Sequence, residues 1–111
     1  MEGSEKKYYK ISEAAILLDV AQSTLRFWES EFPNLRPKRN AKGTRFYSQA
    51  DMERLQMIKY LVKDRGLHLE AAKRELRVNP EGTEKKARAV TRLKEIRGRL
   101  ASMLSALDAL R

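Results

Sequence analysis

The C-terminal stretch of the chain constrains most strongly what the rest can fold into. From Thr83 onward there is no proline and a single glycine, Gly98, so the sequence predicts one helix from a Thr83 N-cap to Arg111. At 1.5 Å per residue such a helix spans roughly 43 Å. Along it Leu93, Leu100 and Leu107 recur every seventh position, and Ile96, Met103 and Leu110 do so three residues out of step. That is coiled-coil heptad spacing with two core columns. A lone helix has nowhere to bury this stripe, which runs further than a preceding domain of about 80 residues could cover. The expectation is pairing with a second copy of the chain, which makes these six side chains the candidate dimerisation residues.

Charge narrows the class of partner. The chain has 111 residues, with 24 Lys+Arg against 15 Asp+Glu and a formal net charge of +9. An excess of this size suggests a polyanion, because neutralised phosphates release counterions and drive association. The lack of cysteine excludes disulfides, thiolate metal sites and cysteine nucleophiles, and His68 is the one histidine. Ala14–Leu18 is the longest apolar run, so neither a membrane span nor a secretory leader is expected and the chain reads as cytoplasmic. The carboxylates, among them Glu13, Glu29 and Asp51, fall in capping or surface settings, and there is no glycine-rich phosphate loop. No catalytic residue, metal or cofactor is expected.

Residues 1–7 are polar and read as a flexible N-terminus. Residues 11–20, ISEAAILLDV, predict a short helix with Ser12 as N-cap, apolar positions at Ala14, Ala15, Leu17 and Leu18, and a stop near Asp19. A second helix follows over about Gln22–Phe32, ended by Pro33. Such a pair is a helix-turn-helix pattern, a weak signal alone. Residues 35–48 then read as a β-hairpin with a flexible tip around Asn40 and Gly43. No acid occurs between Phe32 and Ala50, whereas Arg36, Lys38, Arg39, Lys42 and Arg45 are all basic. A solvated loop usually mixes signs, so this ribbon favours anion binding. Ser48, with Asp51 in the capping-box position, starts a third helix with core residues Met52, Leu55, Ile58, Leu61 and Val62 and a stop at Gly66. His68 opens a fourth short helix through Leu76, with Leu69, Ala72 and Leu76 inward, which Asn79–Gly82 breaks.

The second helix sorts by angle. At 100° per residue Leu25, Trp28 and Phe32 share a core face, while Ser23, Arg26, Phe27 and Ser30 gather opposite. An outward arginine among small hydroxyls suits a recognition helix, since arginine can fork onto guanine O6 and N7 or clamp a phosphate. Outward Phe27 suits either a thymine methyl or sugar, or packing on the hairpin. Tyr47 reads as half core, with its ring under the hairpin and its hydroxyl open to a phosphate. His68 is either a mediocre helix cap or a backbone phosphate contact.

Together ISEAAILLDV, STLRFWE at 23–29, the hairpin spacing Arg39…Gly43-Thr44-Arg45-Phe46-Tyr47, Asp51 and Gly66 resemble the MerR family over about residues 8–77. The resemblance implies a mainly α fold: a winged helix-turn-helix DNA-binding domain over 8–78 with a small β-hairpin wing, then a long coiled-coil dimerisation helix over 83–111. It implies an antiparallel homodimer on a pseudo-palindromic promoter operator that it distorts, with RNA polymerase as a candidate further partner and nucleoid association. Ser23, Thr24, Arg26 and Phe27 would lie at the major groove. Lys38, Arg39, Lys42, Arg45 and Tyr47 would hold the DNA backbone from the wing, and His68 would belong to a second wing. Asp19 replaces the glycine usual in the turn, and Ala21 stands where a capping residue is expected. With no cysteine and nothing following the coiled coil, a dedicated effector domain is not expected. An architectural or recombination accessory role is the competing reading, and a heterodimer competes with self-pairing.

Overall fold

The computed structural model describes residues 8–110, so the expectation for residues 1–7 lies outside it. The order is β1 (Tyr8–Lys10), α1 (Ile11–Leu18), α2 (Gln22–Glu31), β2 (Lys38–Arg39), β3 (Arg45–Ser48), α3 (Gln49–Lys59), a π-helical turn over Tyr60–Asp64, α4 (Leu69–Val78) and α5 (Pro80–Ala109). The fold is mainly helical, with a three-stranded antiparallel sheet in the order β1-β3-β2. The hairpin is therefore the outer two-thirds of a sheet whose first strand comes from Tyr8–Lys10, which the sequence reading missed. Its signal, two adjacent tyrosines of high strand propensity, is only three residues long.

The core gathers one face of each helix. Ala14, Ala15 and Leu18 of α1 meet Leu25, Trp28 and Phe32 of α2, and Leu55, Ile58 and Leu61 close the cluster from below with Tyr47 of β3 and Ala72 of α4. Leu17, expected among the apolar positions of α1, is instead exposed beside Ile16, because the packed face of that helix is used up by its neighbours at 14, 15 and 18. The helix starts two residues earlier than Ser12 suggests. Lys10 is its N-cap, and the Glu13 carboxylate accepts a hydrogen bond from the Lys10 backbone at 2.9 Å.

The turn between α1 and α2 closes on Asp19, which sits in the left-handed region at φ 56, ψ 50. Ala21 caps α2 without a side-chain hydrogen bond. Ser48 caps α3 as expected, with its hydroxyl accepting from the Asp51 backbone at 3.1 Å while Asp51 accepts from the Ser48 backbone at 3.1 Å. The stop at Gly66 falls at φ 69, the conformation for which glycine is suited.

The long helix departs from expectation at its start. α4 runs on to Val78, only Asn79 separates it from α5, and α5 begins at Pro80. Proline at the first helical position is pre-organised for the helix, so the Asn79–Gly82 stretch is one break residue plus a first turn. Thr83 is accordingly not a cap. It is buried in the first turns of the helix, and its hydroxyl donates to the Asn79 carbonyl at 2.7 Å. Thr83 and Ala87 pack α5 onto its own domain, Thr91 donates to Gln56 at 3.1 Å, and Lys94 pairs with Asp64. Beyond these contacts Ile96, Leu100, Met103, Leu104, Leu107 and Leu110 are exposed, and Leu93 just before them is as well.

Because Asp19 occupies a left-handed backbone, Asp19→Gly should raise the midpoint of chemical unfolding, and Asp19→Val should lower stability by roughly 1–2 kcal/mol. Equal midpoints for the two variants would show that the turn is unstrained.

Candidate nucleic-acid interface

Two basic features converge beside one another, the outer face of α2 and the β2–β3 hairpin. Leu25, Trp28 and Phe32 are all but completely buried, which turns Ser23, Arg26, Phe27 and Ser30 to solvent and leaves Thr24 half-buried. Phe27 is 49% exposed, so it does not bury itself against the hairpin. Among the described residues Arg26 donates only to Gln22 of its own helix, at 3.4 Å, and its guanidinium stays at the surface. The Ser30 hydroxyl folds back onto the Phe27 carbonyl at 2.6 Å.

The hairpin tip is not the loose loop its glycine suggested. Asn40 accepts from the backbone N–H groups of Lys42 at 2.9 Å and Thr44 at 3.0 Å, and Gly43 takes the positive φ of 83 that closes the loop. This local closure is the means by which an Asn side chain substitutes for a longer ladder. Lys42 is held at the apex with its ammonium exposed. Arg36 turns back to the Pro33 carbonyl at 3.2 Å.

Alternation along the strands splits the remaining basic residues between two faces. Lys38 lies across from Phe46 on the outward face, and its ammonium sits 5.4 Å from the centre of the Tyr8 ring. Arg39 lies directly across from Arg45, and both reach Glu29 of α2. Arg45 Nε donates to both oxygens of the Glu29 carboxylate, at 2.6 and 3.1 Å, and Arg39 approaches it at 3.6 Å. The Glu29 side chain is only 13% exposed. Its expected place among surface and capping carboxylates is thus corrected, and Arg45, expected at the DNA backbone, is engaged by Glu29 in this structure. The signal was available: Glu29 is an acid on the helix nearest a ribbon that has none of its own.

Tyr47 requires a second correction. It is fully buried, and its hydroxyl has no hydrogen-bond partner among the described residues, so it is not open to a phosphate in this structure. Tyr47 shares its face of β3 with Arg45, and that face is turned onto the helices. Burial first, and then the Glu29 charge, push its phenol up to about 12. His68 is exposed at the N-cap of α4 and makes no side-chain capping bond, so it is placed at a loop–helix junction away from the core.

Helix-turn-helix, three-stranded wing and projecting helix define the class of winged helix-turn-helix regulatory proteins. Residues 9–78 match the model of the MerR HTH family regulatory proteins, and the chain belongs to that family. It is 29% identical over 102 residues to the HTH-type transcriptional regulator ZntR of Escherichia coli K12, covering 87% of this chain and 72% of that one. It is 35% identical over 65 residues to the HTH-type transcriptional regulator MlrA of E. coli K12, covering 59% of this chain. The aligned part spans only 26% of the length of that relative. A MerR-family transcriptional regulator from Bacillus cereus superposes with a TM-score of 0.57 at 26% identity, over 91% of this chain and 78% of the other. The same fold is seen in HiNmlR, a MerR-family regulator lacking the sensor domain and solved bound to promoter DNA, with a TM-score of 0.53 at 24% identity, over 91% and 79%. These relatives are regulators and not enzymes. Among the described residues no helix is long and apolar enough to cross a membrane.

A phenol whose folded value is raised to about 12 from 10.0 contributes stability that is intact below pH 10 and is lost as the pH rises toward 12. Alkaline unfolding should therefore begin in that window for the wild type. Tyr47→Phe should shift it upward while leaving stability at neutral pH unchanged or improved, because it removes an unpaired buried hydroxyl. A phosphate-binding hydroxyl would show itself instead as a loss of DNA affinity in the same variant.

Proposed function

We propose that the chain is a sequence-specific DNA-binding transcription regulator that acts as a homodimer on a pseudo-palindromic promoter operator. The observation that carries this reading is the exposed Ser23, Arg26 and Phe27 surface with half-buried Thr24 beside it, backed by a packed apolar face and bordered by an acid-free basic hairpin. A helix held in this way enters a major groove with its arginine aimed at base edges, while Lys38, Arg39 and Lys42 lie where a backbone passes. His68, at the start of α4, would add a backbone contact from a second wing. Residues 8–78 form the DNA-binding unit in this reading, and residues 83–111 form the dimerisation helix.

The exposed leucine columns of α5 support self-pairing. Leu93, Ile96, Leu100, Met103, Leu107 and Leu110 form a continuous apolar stripe on one helix, and burying it against a second copy removes the largest apolar cost of the isolated chain. An antiparallel arrangement would set two recognition helices on two grooves. Bending or untwisting the intervening duplex would cost several kcal/mol, about the range smooth elastic estimates give, drawn from the phosphate contacts. RNA polymerase at the promoter is the natural further partner for a regulator of this kind.

Arg26→Ala is expected to cost roughly 1–3 kcal/mol on a preferred duplex and to relax base preference, whereas Lys42→Ala should weaken all sequences and flatten the salt dependence. Competition titrations with a duplex recovered by selection from random DNA, and with a scrambled one, measure both. Identical behaviour of the two variants would contradict the division of roles. In sedimentation at micromolar concentration the wild type should be a dimer and Leu100→Lys a monomer, with DNA affinity reduced at least about tenfold through loss of the second contact. A wild type that sediments as a monomer would remove the homodimer.

A further inference from the structure

The pairing of Arg39 with Arg45 sets a problem that the sheet cannot solve alone. Like charges directly across an antiparallel pair repel. Here both also reach toward α2, Arg45 largely covered and Arg39 with its side chain still 53% exposed. Glu29 resolves the repulsion from outside the sheet, with one carboxylate shared by both guanidiniums at 2.6 and 3.6 Å. Among the described residues no other acid is paired to either arginine. Glu29 also lies one residue beyond Trp28 and three beyond Arg26, on the same helix as the proposed base-reading face. Tyr47 lies on the same face of β3 as Arg45, fully buried, with its phenol pushed up first by burial and then by the Glu29 charge.

We propose that Glu29 is a positioning residue that locks the wing to the recognition helix and, by holding Arg45 and Arg39, turns general attraction to phosphate into discrimination between sequences. The inference rests on the interface proposed above. The lock has two physical parts. The Arg45 Nε–H, shared between both Glu29 oxygens, fixes the distance between hairpin and α2, so the groove-facing side chains and the phosphate-facing tip can be satisfied together only on a duplex of matching shape. The carboxylate also offsets one of two positive charges that would otherwise bind any backbone they met, which keeps non-specific affinity down. The Glu29 charge therefore opposes binding to arbitrary DNA while its geometry favours the correct site.

The test uses the full chain and two duplexes, one recovered by selection against the wild type and one scrambled, titrated across a range of salt. Glu29→Gln should bind the scrambled duplex as tightly as the wild type or more tightly. Its salt dependence should steepen by up to about one unit of log–log slope, as one further phosphate contact is made. Its preference for the selected duplex should fall roughly tenfold. Glu29→Asp keeps the charge but withdraws it by one methylene. It should restore the low affinity for scrambled DNA while recovering only part of the preference, which separates the charge from the geometry. Helicity at the working temperature shows that each variant is folded, and Glu29→Asp carries the test should Glu29→Gln unfold. A simple structural ion pair predicts a lower Tm with an unchanged preference below it, and that result would overturn the proposal. A wild type that binds neither duplex would overturn the interface reading along with it. A wild type that discriminates and a folded Glu29→Gln that discriminates equally would overturn the positioning role alone.

Discussion

The burial of Trp28 governs everything that can be said of the surface of this molecule. With Leu25 and Phe32 it occupies nearly all of one side of α2, and α1, α3 and the sheet close around it. A helix anchored by a large aromatic ring cannot roll without opening a cavity costing several kcal/mol, on the order of 3–5 for a lost aromatic side chain. Its opposite side is therefore held outward at a constant orientation. The exposure of Arg26 and Phe27 is a consequence of that packing, and so is the approach of Glu29 to the hairpin, since it leaves α2 along the flank between the two faces.

Much of this was legible in the sequence, because periodicity reports which side of a helix is apolar. The Leu25–Trp28–Phe32 face, the capping box of Ser48 and Asp51, the stop at Gly66 and the unsatisfied columns of α5 all follow from spacing and residue type. What escaped was set by pairing across space. β1 is too short to have a period, and it becomes a strand only because β3 has a free edge beside it. Glu29 looks like any surface acid until Arg39 and Arg45 are folded over it. Tyr47 was given a polar task because tyrosine has a hydroxyl, yet strand alternation places it on the same side as Arg45, which is turned onto the helices. The helix boundary at Pro80 is hidden for a local reason. Proline and glycine close together read as a break, although proline is welcome in a first turn.

The hairpin illustrates how a ribbon can be both charged and ordered. Its outward cation, Lys38, rests over Tyr8. Its cross-strand arginine pair shares one helix carboxylate. Its apex is closed by an asparagine that stands in for two backbone acceptors. Each of these removes a different source of disorder, so the basic residues are presented at set positions instead of as a diffuse cloud of charge.

The absence of slack at Asn79 has a mechanical corollary. One residue joins α4 to a rod of 30 residues whose first turns are seated on the domain through Thr83 and Ala87. Such a rod is about 45 Å long, so a tilt of about 4° at its seat swings the far tip by roughly 3 Å. Movement of the seat and movement of the tip are thus coupled as in a lever, and a small repacking around Ala87 is magnified where the leucines end.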